Sequence, residues 1–437
     1  SLEQFEQLPL AEWRACPPKK IDLAGRRNGI TGKLGGAVLA GLLPVLLRTL
    51  EEFDCADQRL GSTFGTALAS ALGAGGGLQL FRLNTNGSCI GGEAALALAT
   101  AVATHPSIRI FSGINIEKLR HDPPHRLQIN SAGLGEADMY TLAHFFGGST
   151  TLVGLHLSAG KPFAGPGDVG IGLLLPRLHC SSNTELSLPH CDLSAQSMPA
   201  VAALLEATSS SVTKLDLSGN CVGALGLKIL AESLRTCCLE SLNLADAAFM
   251  LPKQDGFGFR RAHETSTDGL QALAESFCAG AGARLKCLDF GKGGLGNSDA
   301  APHLAVMLQA CPALTHFAAG DMAVYRPPTG IMADPVVDPD ALELLVDAIV
   351  SHPALQTCGT HGTFPIAEVR ADILEVLRFS HPSAPAEEGC CVLEAAILAT
   401  LLPTNNSLKA LCVRQIWGAS PSTCCGAPQT LRLATRM

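Results

Sequence analysis

The stretch Val212-Thr-Lys-Leu215-Asp-Leu217-Ser-Gly-Asn220-Cys-Val222, running on into Gly223-Ala-Leu-Gly-Leu227-Lys-Ile-Leu230-Ala231-Glu-Ser-Leu234, decides the fold. Leu215 and Leu217 alternate with polar residues, the period of a strand with one buried face. Ser-Gly-Asn supplies a tight loop. Leu227, Leu230, Ala231 and Leu234 then stand at i, i+3, i+4 and i+7, one apolar stripe along a helix. A strand, a loop and a helix this short leave an apolar side that the unit cannot bury alone. Such a unit is stable only beside copies of itself.

The copies are present. Phe53-Asp-Cys55-Ala-Asp-Gln58-Arg-Leu60 and Leu186-Ser-Leu188-Pro-His-Cys191-Asp-Leu193 repeat the strand phrase, as do Leu242-Asn-Leu244 and Leu288-Asp-Phe290. Further strands are expected around Leu23, Phe81-Arg-Leu83, Phe111, Leu155-His-Leu157, Phe317, Leu355 and Leu411-Cys-Val413. The helical phrase recurs from Phe64, Ala95, Met139, Met198, Leu270, Ala301 and Leu342. The phrase L-x-L-x-x-N followed by such a helix resembles the leucine-rich repeat, in the long form of ribonuclease inhibitor and its intracellular relatives. The resemblance covers nearly the whole chain and implies an α/β solenoid of about twelve repeats. It implies a curved horseshoe, with a parallel sheet on the concave face and helices on the convex one. Leu215 and Leu217 are then core positions. Asn220 and Asn86 occupy the loop slot whose side chain satisfies backbone groups beyond the strand ladder, and Cys191 stands in the same slot. Residues 1–20 are expected to form an N-terminal cap, 21–407 the solenoid and 408–437 a C-terminal cap shielding the last apolar layer.

Composition bounds the function. Of 437 residues, 47% are hydrophobic and 16% charged, so there is apolar surface enough for a core. A net charge of −8 without a basic block gives no electrostatic help toward nucleic acid or anionic lipid. Seventeen cysteines, an odd number, are scattered and three times adjacent, which suits small apolar residues in a reducing compartment better than a disulfide framework. No run reaches the roughly 18–20 apolar residues of a membrane span. The expected setting is intracellular, cytoplasmic or organellar; a mitochondrial one follows if Ser1 is a processed end.

Strand-to-strand spacing is 27–32 residues in the regular repeats but longer in four places, near 115–132, 247–266, 321–338 and 359–389. Each surplus falls after a strand and before a helix, hence on one rim of a solenoid. These segments carry the residue types enriched at protein interfaces: Arg120, His121 and His125; Phe257, Phe259, Arg260 and Arg261; Tyr325, Arg326 and Met332. They are the candidate partner-binding residues.

Chemistry finds little purchase. Gly73-Ala-Gly-Gly-Gly77 precedes a strand instead of opening a helix and lacks the Lys-Ser/Thr of a phosphate loop. No GxSxG, HExxH or paired CxxC occurs, and His121-Asp-Pro-Pro-His125 offers two ligands where a metal needs more. No catalytic residue, cofactor, metal or small-molecule substrate is expected. The sequons Asn86-Gly-Ser88 and Asn405-Asn-Ser407 matter only in a secreted protein. The expected function is a non-catalytic protein-protein scaffold, an accessory or structural subunit of a larger assembly, binding through the concave face and the rim that carries the insertions. The alternative is a regulator, either an enzyme inhibitor or an activator of a small GTPase. The resemblance extends to Ran GTPase-activating protein, for which Arg26 and Arg27 in the first loop would be the contact. Such proteins carry an acidic tail, whereas Thr430–Met437 is basic. The sensing half of an immune-receptor-like protein is a third reading.

Overall fold

The structure is a computed structural model describing residues 9–24, 32–130, 133–147, 152–159, 165–178, 184–207, 211–245, 247, 267–291, 300–319, 339–359, 364–374, 376–379, 392–405, 407–408, 410–413 and 429–432. The chain divides into two compact units, Ser1–Cys221 and Val222–Met437, where the sequence reading has one uninterrupted solenoid.

In the first unit short strands alternate with helices. Strands β1 (Lys20–Asp22), β2 (Glu52–Asp54), β3 (Arg82–Asn84) and β4 (Ile110–Phe111) are parallel neighbours in chain order. Between them run α2 (Gly32–Leu46), α3 (Gly61–Gly73) and α4 (Gly92–Thr104), after a short α1 (Leu10–Ala15). A second parallel set comprises β6 (Arg126–Asn130), β7 (Gly154–Ser158), β8 (Glu185–Ser187) and β9 (Lys214–Asp216). It is interleaved with α6 (Glu136–Phe146), α7 (Gly167–Leu174) and α8 (Met198–Ala207). Register puts like residues in columns: Ile21, Phe53, Leu83 and Phe111, then Leu127, Leu155, Leu186 and Leu215. All of these are buried, so each strand hides its middle residue against the helices behind it.

The second unit repeats the scheme. α9 (Gly223–Leu234), α10 (Asp268–Ser276), α11 (Ala300–Ala310) and α12 (Pro339–Ser351) accompany the parallel strands β10 (Ser241–Asn243), β11 (Cys287–Asp289) and β12 (His316–Ala318). Leu242, Leu288 and Phe317 share one buried column. Near the C-terminus β13 (Val376–Phe379) pairs parallel with β14 (Ala410–Val413), and β15 (Gln429–Arg432) closes against β14 antiparallel. Helix α14 (Val392–Leu401) separates β13 from β14. No helix among the described residues is long and apolar enough to cross a membrane.

Two expected loop insertions are structured differently. Near 115–132 the chain makes an antiparallel turn, with β5 (Ile114–Asn115) pairing back on β4, then a short helix α5 (Ile116–His121), and then β6. Leu127 and Ile129 therefore belong to a repeat strand that the spacing argument absorbed into a loop. Near 359–389 the same sequence of events occurs. Cys358 and Phe364 bridge antiparallel, α13 (Ile366–Arg370) follows, and β13 comes next. Both are short repeats with a five- or six-residue helix in place of a long one. Too few residues separate the strands there for a full amphipathic helix to form. Of the other two segments, only Ala247 among 247–266 lies within the described residues, and none of 321–338 does. The strand expected at Leu355 is displaced by two residues, since Thr357 bridges His316.

Candidate protein-binding face

Alternate residues of each strand point away from the helices, and in the first unit they form two polar rows. In the first row Glu185 accepts from Lys214 Nζ at 2.8 Å and meets Arg126 Nη1 at 3.0 Å. Arg126 is two strands away from Glu185, and the position between them is Gly154. A Cβ there would lie 3.4 Å from Arg126 Cγ and 3.5 Å from Glu185 Oε2, ordinary contact distances, so the two side chains meet directly over this position. Hydrogen bonding and charge from Lys214, with charge from Arg126, hold the Glu185 carboxyl below its ordinary range.

The second row contains His156, Ser187 and Asp216. Ser187 Oγ donates to Asp216 Oδ2 at 3.1 Å, and His156 Nδ1 lies 2.8 Å from Ser187 Oγ. The hydroxyl proton points at the carboxylate, so the imidazole nitrogen must act as donor to the hydroxyl oxygen. A nucleophilic serine needs the reverse, an imidazole that accepts its proton. This chain of hydrogen bonds fixes side-chain positions and activates nothing. On the earlier strands Lys20 pairs with Glu52 at 3.0 Å, and Asn84 donates to Asp54 at 3.1 Å. In the second unit the corresponding face carries His316, 2.7 Å from Thr357 Oγ1.

The strand face ends where the loops take over, and there the slot residues work. Asn220 is buried. Its Oδ1 accepts from the amides of Cys191 and Leu193, and its Nδ2 donates to the carbonyls of Leu188 and Leu217. Cys191, one repeat earlier, donates its thiol to Leu157 O at 3.2 Å. Gln58 fills the slot with Nε2 on Leu23 O at 2.7 Å. Asn86 does not occupy it: the register through Leu83 puts Ser88 there, and the Ser88 hydroxyl donates to Cys55 O at 2.9 Å. The expectation counted from Phe81, but the strand centre is Leu83, which moves every later position by two.

Of the candidate binding residues, Arg120 is committed inside the fold. Its guanidinium donates to the carbonyls of Val102, Ala103, His105 and Ile108 at 2.6–3.2 Å, closing the C-terminal end of α4. Burial lowers its pKa. His121 and His125 are exposed at the end of α5 and before β6. Phe257, Phe259, Arg260, Arg261, Tyr325, Arg326 and Met332 lie outside the described residues. The structure thus brings the strand-face residues together; the expectation gave the concave face a binding role but drew its candidate residues from the insertions and did not name them. Their signal was available: charges of opposite sign at the same position of successive L-x-L phrases.

A pocket of about 670 Å³ also opens among the loops of the first unit, bordered by Glu136, Asp138, Asp168 and Asp192. Its acids largely serve as caps. Glu136 accepts the Gly92 amide at 2.7 Å, and Asp168 accepts the amide and hydroxyl of Ser194 and the hydroxyl of Ser197. Burial alone would raise Asp168, yet these bonds hold it below its ordinary value. Asp138 accepts the Gly135 amide, and burial pushes its carboxyl up to about 7. Buried Cys55, Cys191 and Cys311 are pushed up to about 12 by burial, and Cys358 higher still. Such thiols are poor nucleophiles and poor metal ligands at neutral pH. No group of three or more His, Cys, Asp or Glu among the described residues is arranged to hold a metal.

No protein-family model matches the chain. It is 28% identical over 289 residues to the ribonuclease inhibitor of Sus scrofa, covering 64% of this chain and 52% of that protein. It is 36% identical over 83 residues to NACHT, LRR and PYD domains-containing protein 3 of Bos taurus, covering 18% of this chain and 8% of that one. The chain therefore spans about half or less of the curated relatives it matches. Among solved structures, one of the Rad7 and Elc1 complex in yeast aligns with 68% of this chain and 77% of its own, at 12% identity and a TM-score of 0.24, too low to argue from. Parallel strands alternating with helices, together with weak likeness to two leucine-rich-repeat proteins, are consistent with a fold of leucine-rich-repeat type, at low identity.

Proposed function

We propose that this chain is a non-catalytic protein-binding scaffold, an accessory or structural subunit of a larger assembly. It engages its partner through the strand face, as the concave side of a curved solenoid of about twelve repeats. The Arg126–Glu185–Lys214 network carries the reading. Three charged side chains from three strands hold one another in place on a face whose backbone is fixed by parallel pairing. A partner meeting such a face loses little side-chain entropy on docking. Paired charges on a rigid surface set specificity and association rate more than raw affinity. Exposed His121 and His125 extend this surface. Arg120 does not, because four of its five N–H donors are spent on backbone carbonyls.

Likeness to ribonuclease inhibitor supports a second reading, a regulator that binds and blocks an enzyme. Both readings use the same face and differ only in the partner.

The test is purification of the native protein followed by binding measurements on the co-purifying partner. Glu185→Lys is expected to weaken binding at least tenfold with an unchanged far-UV spectrum. A native preparation without a stoichiometric partner, or a partner indifferent to Glu185→Lys, overturns the proposal.

A further inference from the structure

The pocket of about 670 Å³ among the loops of the first unit holds a buried charge that the fold does not use. Asp138 lines it and is only 2% exposed. Its Oδ2 accepts the Gly135 amide at 2.8 Å, and its Oδ1 has no hydrogen-bond partner. Burial raises this carboxyl to about 7 against the downward pull of that amide and of the Ser112 hydroxyl, so the acid is half ionised near neutral pH. An asparagine would make the same capping bond without a buried charge. The acid therefore costs stability that the local fold does not require, as groups kept for a ligand do.

The rest of the lining has one sign. Glu136, Asp168 and Asp192 border the same space, and its described lining residues include no Lys, Arg or His. Helices α4, α6 and α7 begin beside the pocket, and their dipoles oppose this charge. The amides an anion would use there are already bonded, however. Gly92 N–H donates to Glu136, Gly135 N–H to Asp138, and Gly167 N–H to the Cys191 carbonyl. No three of these acids are arranged to hold a metal ion, and the volume is that of an organic ligand. Leu134 and Val169 add apolar wall, and Val169 is 59% exposed.

We infer that this pocket binds an organic cation, a guanidinium or primary ammonium head on a short aliphatic stem. The head sits among Glu136, Asp168 and the buried Asp138 carboxyl, and the stem lies against Val169. Such a cation pairs a buried charge that otherwise stands alone, and so draws Asp138 into its ionised form. A free amine offers this chemistry, and so does an Arg or Lys side chain of a partner protein. The inference does not depend on the strand face and stands or falls without it.

Titration calorimetry of the full chain with n-butylguanidinium tests it, at pH 7 in two buffers of different ionisation enthalpy. Binding is expected to release about half a proton, because Asp138 starts near half protonated. Affinity should fall about tenfold from pH 8 to pH 6. N-Butylurea, the same shape without the charge, is expected to bind at least tenfold more weakly. Asp138→Asn keeps the capping bond and is expected to fold with an unchanged far-UV spectrum. It should weaken n-butylguanidinium at least fivefold, release no proton and flatten the pH profile. No binding below about 10 mM overturns the inference. So does binding without proton release, equal binding of the urea, or equal binding by Asp138→Asn. The tripeptide N-acetyl-Gly-Arg-Gly-amide separates the two sources. Tighter binding than n-butylguanidinium assigns the head to a protein side chain, weaker binding assigns it to a free amine, and either result supports the cation site.

Discussion

Replacing Asn220 tests the solenoid logic most directly. Its four shortest bonds satisfy the N–H of Cys191 and Leu193 and the C=O of Leu188 and Leu217, with Ser218 C=O a longer fifth contact at 3.2 Å. The side chain is buried, so Asn220→Ala admits no ready water to replace it. A buried donor left without a partner costs about 1–3 kcal/mol, and an orphaned carbonyl costs less because it has two lone pairs. Two donors and two acceptors together give about 3–5 kcal/mol. Asn220→Cys should recover part of this, because Cys191 fills the same slot one repeat earlier with its thiol on Leu157 O. A thiol cannot accept from two amides, so about 1–2 kcal/mol should still be lost. Urea unfolding followed by far-UV circular dichroism measures both variants, and exchange of the Cys191 and Leu193 amides locates the damage. The reasoning fails if Asn220→Ala costs less than about 1 kcal/mol, or if the cysteine variant is no better than the alanine one.

Two further outcomes are expected. Asp138 has a folded-state pKa of about 7 against an ordinary 3.8, so the folded protein binds that proton more tightly than the unfolded chain does. Its contribution to stability is therefore present below about pH 4, is lost as pH rises toward 7, and amounts to roughly 4 kcal/mol in all. Asp138→Asn should gain on the wild type by about 2–3 kcal/mol between pH 5 and pH 8 in denaturant titrations, and a gap that does not change with pH would refute this. Arg120→Met and Arg370→Met each remove a guanidinium from helix-end carbonyls, those of Val102 and His105 in one case and of Ile349 and His352 in the other. Each should cost about 2–4 kcal/mol and speed amide exchange in the last turn of α4 or α12, while exchange spread evenly over the chain would contradict a local clamp.

The regular repeats were legible because two periods, two for strands and near 3.6 for helices, alternate in the sequence around Leu186, Leu215 and Leu242. That pattern needs nothing beyond hydrophobic spacing. The errors came where a repeat is short. Leu127 and Ile129 lie only sixteen and eighteen residues after Phe111, and a count that expects one strand every thirty residues reads them as loop. The slot at Ser88 was misplaced because Phe81 and Leu83 both fit the first leucine of the phrase, and only pairing partners decide between them. Arg120 looked like an interface residue by type. Nothing in its local sequence announces that four carbonyls at the end of α4 converge on it.

Those carbonyls recur, and the recurrence shows what the short repeats are. His105 and His352 each precede a proline and each place Nε2 on a carbonyl of the previous repeat, Gly76 O at 2.9 Å and Cys311 O at 3.0 Å. Arg120 and Arg370 each reach back to the carbonyl of that histidine. In both places an antiparallel turn and a helix of five or six residues lie between. The histidines stand 247 positions apart and the arginines 250, so the two devices match nearly residue for residue, one in each unit. A long helix contributes its own last turn to the stack. A short one does not, and the last carbonyls of the preceding helix, which lack intrahelical partners as in any helix, are reached by an arginine instead. One arginine supplies the missing donors. In both units a guanidinium thus accompanies the shortened repeat, and in the first unit that repeat lies where one parallel run of strands ends and the next begins.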